Sequence, residues 1–121
     1  MSNTITITIG DKVFAATLSD NATAAAFKKL LPLSVTMTEL NDNEKLFRLS
    51  DSMPARASTP ASIQTGDLML YGSSTLVLFY KSFPTTYSYT KIGRIDDPAG
   101  LEAAVGSGSV AVTFELRREK P

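Results

Sequence analysis

The run Leu76-Val77-Leu78-Phe79 is apolar at every position, and it constrains the fold more than any other stretch. Successive residues of a strand point to opposite faces, so an unbroken apolar run needs cover on both. Paired with the strand Gly66-Asp67-Leu68-Met69-Leu70-Tyr71, it predicts a strand buried between the interior of a closed barrel and a covering helix. A length of 121 residues supports one core of adequate size, so residues 1–121 are expected to form a single domain.

The rest of the chain reads as short strands with two helices. Ile5, Ile7 and Ile9 alternate with Thr4, Thr6 and Thr8, a half-buried β-branched strand. Gly10-Asp11 marks a tight turn, and Lys12 to Leu18 returns as the second arm of a hairpin. Ser19, Asp20 and Asn21 offer helix caps, and Thr23, Ala26, Phe27, Leu30 and Leu31 recur at helical spacing until Pro32. A helix is expected over 22–31. Leu33, Val35 and Met37 alternate as a third strand, and Glu44 to Leu49 forms a short fourth. Residues 51–62 contain Pro54 and Pro60 without an apolar period, a long ordered surface loop of the kind that often carries function. Lys81 to Thr86 forms another loop, and Tyr87 and Tyr89 open the next strand. Asp97-Pro98 reads as an N-cap and first helical residue of a second helix over 98–105, closed by Gly106. Val110, Val112, Phe114 and Leu116 alternate as the last strand. The expected class is mainly β, a closed antiparallel barrel with two short helices.

Composition removes several kinds of chemistry. Twelve basic and twelve acidic residues cancel, so no net field draws nucleic acid or an anionic membrane. Histidine and cysteine are absent, which removes the commonest acid/base, the thiol nucleophile and the usual zinc, copper and haem ligands. No cofactor and no metal are expected. Ser50, Ser73 and Ser74 have no histidine to activate them, so triad hydrolysis is excluded. Asp96-Asp97 reads as capping rather than a carboxylate pair, and Gly106-Ser107-Gly108 as a turn rather than a phosphate loop, since no lysine follows it. The alternating N-terminus does not resemble a secretory signal, and no apolar run approaches the ~20 residues of a membrane span. A cytoplasmic location is expected. The mixed-sign run Arg117-Arg118-Glu119-Lys120 reads as a solvated terminus.

With these segments in place, the chain resembles the cyclophilin fold, and within it the small bacterial cyclophilin-like proteins. The hairpin ending at Leu18, followed by Thr23, Phe27 and Leu30 on a helix, is similar to the family's opening. Leu76 to Tyr80 resembles its Gln-Phe-Phe strand, with Phe79 and Tyr80 in place of the paired phenylalanines. Lys91-Ile92-Gly93-Arg94-Ile95 resembles its strand and glycine before the last helix, which Leu101-Glu102-Ala103-Ala104 would supply.

In catalytic cyclophilins an arginine, flanking aromatics, a glutamine and a histidine hold an X-Pro bond while it rotates. That rotation faces a barrier of ~18–20 kcal/mol, so the arginine's interaction must strengthen in the twisted state. Leu46-Phe47-Arg48 partly matches the family's Phe-His-Arg stretch, which makes Arg48 the candidate catalytic residue; its plainer reading is a surface strand arginine. Met53 is what remains of the following motif, and Gln64 is the only glutamine. The pocket tryptophan or histidine has no counterpart. Phe79, Tyr80, Phe83, Tyr87 and Tyr89 concentrate aromatic surface around one loop. Tyr80, Phe83 and Tyr87, with Met53, are the candidate residues for a peptide or small-molecule ligand, although the same rings could plug the barrel end. The leading expectation is a binding barrel without efficient isomerase activity. A divergent prolyl isomerase centred on Arg48 and a structural or oligomerisation domain are the alternatives. Oligomeric state is not legible.

Overall fold

A computed structural model describes residues 3–117. Eight antiparallel strands close into a barrel: β1 (Thr4–Ile9), β2 (Lys12–Leu18), β3 (Leu33–Leu40), β4 (Glu44–Arg48), β6 (Asp67–Tyr71), β7 (Thr75–Phe79), β9 (Thr90–Ile95) and β10 (Val110–Leu116). Around the barrel they run β1-β10-β3-β4-β7-β6-β9-β2. Two further short strands, β5 (Ser62–Ile63) and β8 (Phe83–Pro84), pair with each other outside the barrel. The helices are α1 (Ala22–Lys28) and α2 (Leu101–Val105). Among the described residues, no helix is long and apolar enough to cross a membrane.

Alternation decides which side chains enter the barrel. Ile5, Ile7 and Ile9, then Phe14, Ala16 and Leu18, then Val112 and Phe114 face inward and are buried. The pairs Leu68–Leu78 and Leu70–Leu76 cross β6 and β7 on the same interior face. Met69, Val77 and Phe79 point outward and are nevertheless buried, packed with Ile63, Tyr89, Leu46 and Phe83. Both faces of β7 are thus covered, as its apolar run requires. The expected covering helix is absent from that face, however. Its cover consists of the segments flanking β5 and β8, because Ile63, Phe83 and Tyr89 supply the apolar area that seals the outer sheet.

Several hydrogen bonds fasten this cover. Ser58 and Tyr89 exchange two backbone bonds of 3.0 Å, Thr85 N donates to Ala61 O at 2.9 Å, and Arg56 N donates to Thr90 Oγ1 at 3.0 Å. At the start of the same segment, Leu49 N and Met53 N donate to Ser74 O and Ser73 O, each at 2.7 Å.

The helices are shorter than their sequence signals. Asn21 caps α1 by accepting from Ala24 N at 2.7 Å. Beyond Lys28 the bonds tighten to Leu30 N→Phe27 O and Leu31 N→Lys28 O, because the residue before a proline disfavours the helical region and Pro32 sets the limit. Leu30, expected on the buried face, is exposed as a result. At α2, Asp97 accepts from Ala99 N at 3.1 Å and Leu101 N donates to Pro98 O at 3.0 Å, forming a turn. Gly100 follows at φ 83, a left-handed conformation that cannot lie inside a right-handed helix. Helix α2 therefore begins at Leu101 and Gly100, not Asp97, is its N-cap. The strand expected from Tyr87 likewise begins at Thr90.

Candidate functional site

One outer face of the barrel stays open beside the cover. Along β4, Glu44, Leu46 and Arg48 share this face, each two residues from the next. Their cross-strand partners on β7 are Phe79, Val77 and Thr75, and Tyr71 of β6 lies opposite Thr75. The end of the cover adds Tyr87 and Tyr89. Together with Leu40 and Asn41 they enclose a concavity of about 460 Å³. Tyr71, Tyr87 and Tyr89 form its aromatic wall, the open end of a run of ring contacts that continues behind it into Phe79 and Phe83. Tyr87 meets Tyr71 edge-on at 6.4 Å, Tyr71 meets Tyr89 at 5.7 Å, Tyr89 meets Phe79 edge-on at 5.4 Å, and Phe79 meets Phe83 at 5.6 Å. The run passes from an exposed mouth, where Tyr87 is 62% and Tyr71 49% accessible, to fully buried Phe79.

The concavity is charged at both ends. Arg48 is exposed at one and Glu44 is buried at the other. Burial, reinforced by the negative charge of Glu39, pushes the Glu44 carboxyl up to about 7. Tyr89 is also raised, first by burial and then by Glu44. Four strand steps separate Glu44 from Arg48, roughly 13 Å at ~3.3 Å per residue, so the two do not neutralise each other.

The residues singled out from sequence part company here. Arg48 and Tyr87 line the concavity. Met53 is buried in the main core, and Phe83 is half-buried against Phe79 within the cover. Tyr80 is buried as well, and its hydroxyl donates to Glu39 Oε1 at 2.6 Å. The same carboxylate accepts from Lys45 Nζ at 2.9 Å. Lys45 is wholly buried and also donates to the carbonyls of Gly106 and Gly108, which satisfies all three of its N–H bonds. Burial acts to raise Glu39, but the Tyr80 and Lys45 donors outweigh it and hold the carboxyl below its ordinary value. Tyr80 is raised by burial and by Glu39. Its role is therefore in this inner network, which ties β3, β4 and the α2–β10 connection together. Gln64 lines a separate surface hollow with Asp67 and Arg94.

Sequence reasoning missed Glu44, Tyr71 and Lys45. The period-two alternation could place Glu44 on one face with Leu46 and Arg48, though not within a concavity. Among the described residues, no three His, Cys, Asp or Glu side chains gather as they would around a metal ion.

A sequence profile described as the cyclophilin-like family matches residues 7–115. The chain belongs to the cyclophilin-like family. The fold of this cyclophilin-like protein is shared by a hypothetical protein from Archaeoglobus fulgidus, whose solution structure superposes with a TM-score of 0.63. The two are 18% identical, over 96% of this chain and 95% of that one. No curated protein matches the sequence.

Proposed function

We propose that this cyclophilin-like protein is a binding module that holds an extended peptide segment against the tyrosine wall, without efficient prolyl isomerase activity. The observation that carries this reading is the placement of Arg48 at the rim of a concavity walled by Tyr71, Tyr87 and Tyr89. Rigid aromatic walls order few torsions on binding, and an arginine offers donors to a ligand carbonyl. The span from Glu44 to Arg48 fits about four extended residues, at ~3.3 Å each. A proline ring packs readily on such a wall. The remaining isomerase equipment is lacking: Gln64 lies in another hollow, and the chain has no histidine or tryptophan.

The second reading, a divergent isomerase, is favoured by the same arginine among aromatics. Both are tested by titrating capped Pro-containing pentapeptides into labelled protein and measuring cis/trans exchange by NMR. Shifts are expected at Tyr71, Tyr87 and Arg48, with Tyr87→Ala weakening binding about tenfold, in line with the loss of one aromatic anchor. Exchange is expected to stay near the uncatalysed rate. Strong acceleration that disappears in Arg48→Ala would establish the isomerase instead, and shifts confined to the β1–β2 hairpin would place the site elsewhere.

A further inference from the structure

Glu44 is the one acid on the floor of the concavity, and its position is costly. Its residue surface is 7% accessible, yet among the described residues no hydrogen bond or ion pair reaches its carboxylate. Lys45, its neighbour, points to the opposite face of β4 and is fully engaged by Glu39, Gly106 and Gly108. Arg48 stands at the far end of the strand. The charged and titratable groups facing Glu44 are Glu39 from β3, which repels it, and Tyr89 from the cover; Tyr71 lies in the row of Thr75 and Arg48 toward the other end, with Tyr87 against it. Buried carboxylates are normally paired or hydrogen-bonded. Among the described residues this one has no partner and stands beside Tyr89, so it offers a cation a largely buried negative charge and the negative face of an aromatic ring.

We propose that Glu44, with Tyr89, forms a subsite for a cationic side chain, so that the segment bound in the concavity carries a lysine. This rests on the peptide-binding reading and gives it a direction. The ammonium sits at the Glu44 end, and Arg48, which repels a cation, takes a backbone carbonyl at the other. Lysine suits the site because its compact charge rides on an apolar stem that can lie along the rings.

Protonation supplies an independent readout. Glu44 titrates near pH 7 in the free protein, and an arriving ammonium favours its ionised form. Lysine binding at pH 6.5 should therefore release a proton from Glu44, and the preference for lysine should grow as pH rises through 7.

The test uses capped pentapeptides Ac-Ala-Ala-Pro-Ala-Ala-NH2 in which each alanine is replaced in turn by lysine or by norleucine. At one position lysine is expected to bind about tenfold tighter than norleucine at pH 7.5, the scale of a desolvated cation on an aromatic face. In Glu44→Gln that ratio falls to near one. Calorimetry at pH 6.5 in two buffers of different ionisation enthalpy should register proton release for the lysine peptide and none for norleucine. If norleucine binds as well as lysine at every position, or the ratio survives in Glu44→Gln, the cation subsite is rejected while peptide binding stands. If no peptide perturbs the concavity, the peptide-binding reading fails, and this inference fails with it.

Discussion

Lys45 is a wholly buried side chain with three N–H donors inside a barrel of apolar residues, and its cost is offset only because every donor finds an acceptor. Glu39 accepts one N–H bond from it, and the carbonyls of Gly106 and Gly108 accept the others. Tyr80 Oη and Asp42 N complete the Glu39 carboxylate, at 2.6 and 2.8 Å. Removing the ammonium alone strands a partly buried carboxylate and two carbonyls. Lys45→Met is therefore expected to lower stability by about 3 kcal/mol, at the lower end for a broken buried pair because Glu39 keeps two donors. Urea denaturation measures this, and Glu39→Gln in the Lys45→Met background should return part of the loss, since the uncompensated charge is then gone. A double variant weaker than the sum of the singles would show that packing rather than charge governs the site.

At the scale of elements, the strands with clean alternation were the most legible. β1, β2, β3 and β10 follow their apolar periods, since each has one face on the interior and one in water. Glu44 is not legible as a site residue in the sequence, because the outer face of β4 becomes a concavity only when the barrel closes and the cover brings Tyr87 and Tyr89 beside it. Helix ends depart from their sequence signals for local reasons, Pro32 at one and left-handed Gly100 at the other. The aromatic residues were legible as a group but not individually: whether Tyr80 or Tyr71 reaches the concavity depends on barrel register and on the buried Glu39 partner. Gly93 shows a different long-range constraint. It lies opposite Leu18 where β2 meets β9, and a Cβ there would sit 2.5 Å from the Thr17 carbonyl oxygen. Next to it the β6–β9 register shifts between Leu68 and Met69. Gly93→Ala must push β2 away from β9, so a loss of about 2 kcal/mol is expected, comparable to overpacking a core. Thermal or urea melting reads it, and a change within 0.5 kcal/mol would mean that β2 yields without cost.

The whole molecule has an interior core and, outside β6 and β7, a second apolar layer held by a cover with little regular structure. The interior is closed by strand pairing on every side, whereas the cover rests on Ile63, Phe83 and Tyr89, the two-residue strands β5 and β8, and a few loop hydrogen bonds. Local opening is drawn from regions with few such bonds. The cover should therefore open without the barrel unfolding, and because it carries Tyr87 and Tyr89, its opening would disassemble the tyrosine wall. Phe83→Ala isolates this motion. Phe83 is half-buried and touches Phe79 at 5.6 Å, so its truncation should cost about 2 kcal/mol, less than that of a fully buried phenylalanine. Native-state hydrogen exchange is then expected to quicken about thirtyfold at the amides of Ser58, Thr85 and Tyr89. The amides of Ile7 and Phe114 should keep most of their protection relative to those of the cover. Equal acceleration at both sets would mean that cover and barrel unfold as one unit, and the tyrosine wall would then be as permanent as the barrel beneath it.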